Sequence, residues 1–281
     1  MCKEQPQLDI QNLYLHTRES GRFGKTCILS GISLSVEKGE CVFLWGGNGA
    51  GKSSLLNAVA FGEQCHHAND YGIMRSTYGF QVEGKILLDG MQLTSLPPHK
   101  RSLKIARVAQ KPLEMFSQAL SLEENLALYA MKSCRISSFF KLLTKNDRDV
   151  LKDKLNFSGL DFAVPRLGDS ITSFSGGELQ QLAFFAATLQ VPSILLLDEY
   201  TRDLDRKNRT RLEELTATYL SEHSVSVLWV SHDPKQVQKF CDRVVFMRGG
   251  KLVGGYARGK ERDISIKMLN EFITKKIDND G

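Results

Sequence analysis

Three short stretches carry residue types whose spacing could do chemistry. "GGNGAGKS", Gly46 to Ser53, fits GxxxxGK(S/T) and stands between an apolar run and a helix-forming one. Glycines there let backbone N–H groups turn inward around phosphate oxygens, and the start of the following helix adds its positive dipole end. Lys52 can then reach the β- and γ-phosphates, and Ser53 can ligate Mg²⁺. Gly46, Gly47, Asn48, Gly49, Ala50, Gly51, Lys52, Ser53 and Ser54 are therefore the candidate nucleoside triphosphate site. "ILLLDE" ends a second apolar run in two acids: Asp198 is placed to hold Mg²⁺, and Glu199 to act as general base on an attacking water. The third stretch, "FSGGELQQ" (Phe174 to Gln181), offers a serine and two glycines that can hold an anion, yet no nucleophile or base stands beside them.

These residues need elements to position them. "LDIQNLYL" (Leu8 to Leu15) and "ILSGISLSVEKGE" (Ile28 to Glu40) alternate apolar and polar residues, which predicts antiparallel strands. "CVFLW" (Cys41 to Trp45) is a continuous apolar run, as in a strand buried on both faces. A loop is expected from Gly62 to Phe80, then a strand "GKILLDG" (Gly84 to Gly90). From Ser121 to about Leu189 the pattern is helical, with Ser121 and Glu124 as a capping box. Strands over Ser193 to Glu199 and Ser224 to Asp233 flank a helix over Lys207 to Leu220, and this order argues for parallel pairing in an α/β sheet. A hairpin around Gly249 and Gly250 and a charged helical tail from Lys260 to Ile277 complete the expectation.

The 281 residues are enough for one large domain or two lobes, at roughly 100–200 residues per domain. Hydrophobic residues at 42% and charged residues at 25% are ordinary globular usage, which argues against general disorder or a membrane-embedded chain. No apolar run approaches the ~20 residues that span a bilayer, and the first ten residues lack the apolar core of a secretory signal, so the chain is expected to stay in the cytosol. Six scattered cysteines without a CxxC pair suit free thiols, and the adjacent Cys65, His66 and His67 do not by themselves complete a metal site. A net charge of +5 lacks the concentrated basic stripe of a nucleic-acid binder, so no nucleic-acid partner is expected.

Taken together, the motifs resemble the ATPase subunits of ABC transporters over nearly the whole chain. "FSGGE" is similar to that family's signature loop, Gln110 in "RVAQKP" to its Q-loop glutamine, "TRDLD" (Thr201 to Asp205) to its D-loop, and His232 in "WVSHD" to its switch histidine. The resemblance implies a P-loop NTPase (RecA-like) α/β core with an antiparallel β-subdomain, residues 1–112 and 190–254. It also implies an inserted helical subdomain, residues 113–189, and a C-terminal tail, residues 255–281. Phe23, 23 positions before Gly46, stands where the family places an aromatic ring on adenine. Gln110 is implied to sense Mg²⁺ and water, and His232 to clamp the γ-phosphate. Two subunits are implied to face head to tail, so that Ser175, Gly176, Gly177 and Glu178 of one, with its Asp205, complete the ATP site of the other. The implied partners are a second copy of the chain, integral-membrane permease subunits and an extracytoplasmic solute-binding protein, and the implied location is the cytoplasmic face of the inner membrane.

Four positions depart from the family's usual pattern: Phe174 for Leu, Glu178 for Gln, Gln181 for Arg and Tyr200 for Pro. None of them removes a group assigned to phosphate or water chemistry, so they bear on signature packing and rate. "LPPHKR", "SLEENLALY" and "LQQLAFFAATLQVPSILLLDEYTRDLD" look most like bacterial uptake systems for small organic solutes, with amino-acid systems nearest. The alternatives are metal, lipid or export systems, and a soluble ATPase of iron-sulfur cluster assembly. The basic region Lys132 to Lys154 is expected near the bilayer or a permease, or else as a solvated helix face.

Overall fold

Alternating residues near the N-terminus build an antiparallel sheet. The computed structural model describes residues 5–17, 26–62, 80–130 and 145–257. Expectations for Phe23, for Cys65 to His67, for most of the Gly62–Phe80 loop, for residues 132–144 of the basic region and for the tail from Lys260 lie outside them. Strand β1 (Leu8–Thr17) lies between β2 (Cys27–Val36) and β4 (Phe80–Leu88), with the short β5 (Met91–Gln92) beyond β4. Leu8, Ile10, Leu13 and Leu15 of β1 are all buried, although the step from Ile10 to Leu13 breaks the period of two. A bulge there absorbs the extra residue, with Asn12 at φ 48° and the register shifting on both sides. Gly84 faces the bulge; a Cβ on it would lie 2.4 Å from the Asn12 carbonyl, so the bulge itself requires a glycine.

Five strands of the second sheet run in the order β10–β9–β3–β8–β7. β3 (Cys41–Trp45), β8 (Ser226–Val230) and β7 (Ile194–Asp198) are each buried along all five residues, which is why they read as unbroken apolar runs. β3 is parallel to β8 and to β9 (Arg243–Arg248), and β7 is parallel to β8, while β10 (Lys251–Ala257) returns antiparallel as the expected hairpin. Register pairs Leu44 with Val230 and Val230 with Asp198, so the carboxyl ends of three parallel strands lie side by side. In open α/β sheets that edge is where ligands bind. Helix α1 (Lys52–Phe61) leaves β3 there, and its buried Leu55, Leu56, Ala58 and Val59 join the β-strand residues in one apolar core.

The short helix α2 (Pro98–Arg101) ends in a buried arginine that anchors the far end of α1. Arg101 donates to the carbonyls of Ala58 and Val59, both at 2.9 Å; the first also accepts from the Gly62 N–H, and the second is an acceptor of the kind a helix C-terminus leaves open. Strand β6 (Ile105–Val108) then carries the chain out of this unit, which comprises residues 1–105, 193–199 and 224–281.

The second compact unit comprises residues 106–192 and 200–223. It holds α3 (Leu122–Ala130), α4 (Lys145–Phe157), α5 (Gly176–Thr188) and α6 (Arg206–Glu222). The helical expectation from Ser121 to Leu189 is interrupted by two 3-10 turns, Asp161–Arg166 and Ile171–Ser173, the first of which carries Pro165. The capping box at α3 is present: Ser121 N–H donates to Glu124 Oε2 at 2.8 Å, and Glu124 N–H to Ser121 Oγ at 3.2 Å. α5 is buried on nearly every side from Leu179 to Ala187, whereas α6 buries only Leu212, Thr216 and Tyr219, one stripe at helical spacing. Among the described residues no helix is long and apolar enough to cross a membrane, and no group of three or more His, Cys, Asp or Glu could hold a metal ion.

Candidate functional site

The first unit places Lys52, Ser53, Asp198, Glu199 and His232 at the carboxyl edge of its parallel sheet. Lys52 is 5% exposed, and its ammonium donates to the carbonyls of Gly46 at 2.7 Å and Gly47 at 2.9 Å, which holds it across the loop. Gly49 (φ 76°) and Gly51 (φ 97°) take the left-handed conformation that turns the loop into α1. The start of α1 has no side-chain cap and no acid in its first turn, so its orphan N–H groups and dipole end are left for an anion. α6, in contrast, is capped by Asp205 and α5 by Ser175.

Close packing sets the first residue of the loop. A Cβ on Gly46 would lie 2.2 Å from the Met247 carbonyl oxygen on β9, a contact no side chain can relieve. Gly46→Ala is expected to cost about 1–3 kcal/mol of folding stability, as overpacking does, and to weaken ATP binding with it. A urea-unfolding midpoint unchanged from wild type would refute this.

Ser53 Oγ donates to Asp198 Oδ1 at 2.9 Å, which sets two oxygen donors side by side at the helix start and the strand end. That is a donor set of the kind a hard divalent cation takes. Glu199 follows Asp198 with φ 45°, a left-handed conformation that costs a non-glycine residue of order 1–3 kcal/mol, and its N–H donates to the Val230 carbonyl at 3.0 Å. The carboxylate is thereby turned towards the switch position: His232 Nε2 stands 2.9 Å from Glu199 Oε1. Expected to run through Asp233, β8 instead stops at Val230. Ser231 Oγ donates to Gln236 Oε1 at 2.6 Å and accepts from Asp233 N–H at 3.0 Å, and Asp233 caps helix α7 (Pro234–Phe240). His232 is therefore on a turn, with its ring centroid 6.1 Å from that of Trp45.

The second unit holds the remaining candidates. Ser175 is the N-cap of α5, and with Glu178 it forms a full capping box: Ser175 N–H donates to Glu178 Oε2 at 2.8 Å and Glu178 N–H to Ser175 Oγ at 3.3 Å. Burial alone would raise the Glu178 carboxyl, but the bonds from Ser175 and the charge of Arg166 outweigh it and hold it below the usual carboxylate range. Asp205 caps α6, accepting from the Asn208 backbone at 3.0 Å and the Asn208 side-chain amide at 2.6 Å, and those bonds lower its carboxyl too. Asn208 in turn accepts from Gln181 Nε2 at 3.2 Å, and a Cβ on Gly177 would lie 2.5 Å from its amide nitrogen. A side chain at the second signature glycine would thus displace the Asn208 amide from its place. Gln110 Nε2 lies 3.4 Å from Asp203 Oδ2, and Gln180 donates to the neighbouring Ala109 carbonyl at 3.1 Å, so the signature helix also holds the Q-loop backbone.

Sequence reasoning did not pick out Asn208 or Arg166. For Asn208 a signal existed, because an amide three residues after an aspartate N-cap can bond back to it. Arg166 has no such local signal.

An uncapped glycine loop holding a lysine, a serine–aspartate pair and a glutamate–histidine pair at one sheet edge define an ATP-hydrolysing cassette. Residues 29–202 match the model of the ABC transporter family, and the chain belongs to that family, as its ATP-binding, ATP-hydrolysing subunit. It is 28% identical to the tyrosine transport ATP-binding protein of Clostridioides difficile, covering 87% of this chain and 90% of that one. It is 31% identical to the hemin import ATP-binding protein HmuV of Burkholderia lata over 84% of each chain. In fold it is similar to a dimeric ATP-binding cassette solved in a post-hydrolysis state with ADP and Pi, with a TM-score of 0.69 and 23% identity over 90% of this chain and 99% of that one.

Proposed function

We propose that the chain powers uptake of a small organic solute such as an amino acid, as one of two ATPase subunits on the cytoplasmic face of the membrane. The pair would drive integral-membrane permease subunits supplied by an extracytoplasmic solute-binding protein. Similarity to a tyrosine transport protein along most of both chains supports the solute class. The hemin import relative favours a second reading, an iron-bearing solute. Radiolabelled uptake in cells lacking the gene decides between them. Tyrosine uptake is expected to fall and to return with the wild-type gene but not with Glu199→Gln. A fall in hemin uptake alone would replace the first reading with the second.

The observation that carries the hydrolytic roles is the His232–Glu199 pair at 2.9 Å beside the Ser53–Asp198 pair. Gly46 to Gly51 and the start of α1, with Ser54 in its first turn, surround the phosphates, and Lys52 offers its charge to the β- and γ-oxygens. Ser53 and Asp198 would hold Mg²⁺, which when bound offsets phosphate charge. Glu199 takes the proton of the attacking water and His232 fixes the orientation of Glu199. Phe23 is the proposed platform for adenine.

In the second unit the capping box uses the N–H groups of Ser175 and Glu178, leaving those of Gly176 and Gly177 and the Ser175 hydroxyl proton as donors for an anion. No water-activating group is assigned beside them in the signature loop. That turn therefore serves a γ-phosphate held by the Lys52 site of a second copy, with Asp205 shaping the neighbouring loop. ATP touching both faces favours the closed pair, and hydrolysis releases it.

A further inference from the structure

In the second unit one side chain, Arg166, grips the signature turn on both sides of Ser175. Its Nη2 donates to the Ser173 carbonyl at 2.9 Å and lies 3.3 Å from the Ser173 hydroxyl. The guanidinium carbon stands 3.9 Å from the centroid of the Phe174 ring, Nη1 donates to Glu178 Oε1 at 3.2 Å, and Nε to Asp169 Oδ2 at 3.2 Å. Glu178 passes this hold on, since its other oxygen accepts the Ser175 N–H at 2.8 Å while its own N–H donates to the Ser175 hydroxyl.

We propose that Arg166 is a positioning residue for the signature serine, and that Phe174 and Glu178 form one interdependent set with it. The inference rests on the reading that the Ser175 turn caps phosphate held by a second copy. Both residues depart from the usual Leu and Gln, and both meet the same guanidinium. A carboxylate only accepts, so Glu178 can serve the Ser175 N–H and Arg166 together. A glutamine would turn its NH₂ group towards one of those two donors. A leucine at 174 would offer the guanidinium apolar carbon but no π face. With Arg166 in place the capping box is held in one arrangement, and the hydroxyl proton of Ser175 stays directed away from the helix.

Four variants of the full-length chain test this: R166Q, R166K, E178Q and R166Q/E178Q. Amide exchange at Ser175 and Glu178 reads the lock without any turnover, and ATP turnover at saturation together with ATP affinity in dilute protein reads its use. R166Q is expected to speed exchange at both amides and to lower turnover about three- to thirtyfold, the combined size of an exposed ion pair and a cation–π contact. ATP affinity of the single chain stays at the wild-type value, because Lys52, Ser53 and Asp198 belong to the other unit. R166K, which keeps the charge but not the planar fork, restores part of the loss. In the E178Q background R166Q adds less than about twofold, as coupled residues do.

Wild-type exchange in R166Q, an equal factor in both backgrounds, or a fall in ATP affinity that matches the fall in turnover would each overturn the proposal. A wild-type chain with protected Ser175 and Glu178 amides but without ATP turnover would count against the catalytic reading of the first unit and leave the lock itself standing.

Discussion

Glu199→Gln is expected to lower ATP turnover by about 10²–10⁴-fold, the usual contribution of a positioned general base, while leaving ATP binding in place. The amide has the shape of the carboxylate and can still accept from His232 Nε2, now 2.9 Å from Glu199 Oε1, so the strained turn after Asp198 keeps its partners. What it loses is the ability to take a proton from water. With ATP bound but not cleaved, the variant is expected to accumulate as a closed pair of subunits, visible by size-exclusion chromatography as an ATP-dependent dimer. Phosphate release at the wild-type rate would remove Glu199 from the role of base and shift attention to His232.

The grouping of candidate residues in the first unit was legible because they fall in contiguous stretches. The glycine loop, Lys52 and Ser53 lie within eight residues, and Asp198 and Glu199 close an apolar run whose complete burial the structure shows. The Ser121–Glu124 box and the hairpin at Gly249–Gly250 are equally local. Less legible was whatever depends on partners distant in sequence. The end of β8 at Val230 is decided by Gln236 and Asp233, which capture Ser231 from the ladder.

The four departures from the family pattern show the same limit, since each is met by a tertiary partner. Phe174 and Glu178 meet Arg166, and Gln181 meets Asn208. Tyr200, where Pro is usual, buries its ring beside Phe184 of α5 and bonds its hydroxyl to Thr216 of α6 at 2.7 Å. Read singly they are odd residues in a motif. In the fold two of them tie the signature turn to Arg166 of the 3-10 turn before it, and two meet side chains of α6.

Lys52→Ala should act on binding itself and thus separate from Glu199→Gln. The ammonium is nearly buried, and its bonds to the Gly46 and Gly47 carbonyls keep its charge at the loop. A hydrogen bond to a charged group contributes about 1.5–3 kcal/mol, so losing this donor should weaken ATP binding about 10–100-fold. The effect on folding should be smaller, because a lysine held by two carbonyls leaves them open to water when it is removed. Titration with a fluorescent ATP analogue, paired with a urea-unfolding curve, measures the two separately. Lys52→Arg keeps the charge but must fit a larger, planar group into the same loop, so it should recover only part of the affinity. Unchanged affinity in Lys52→Ala would mean that the α1 N-terminus and the glycine N–H groups hold the phosphates without it. In the expected case the variant also forms no ATP-dependent dimer, because a signature turn has nothing to cap when the opposing loop is empty.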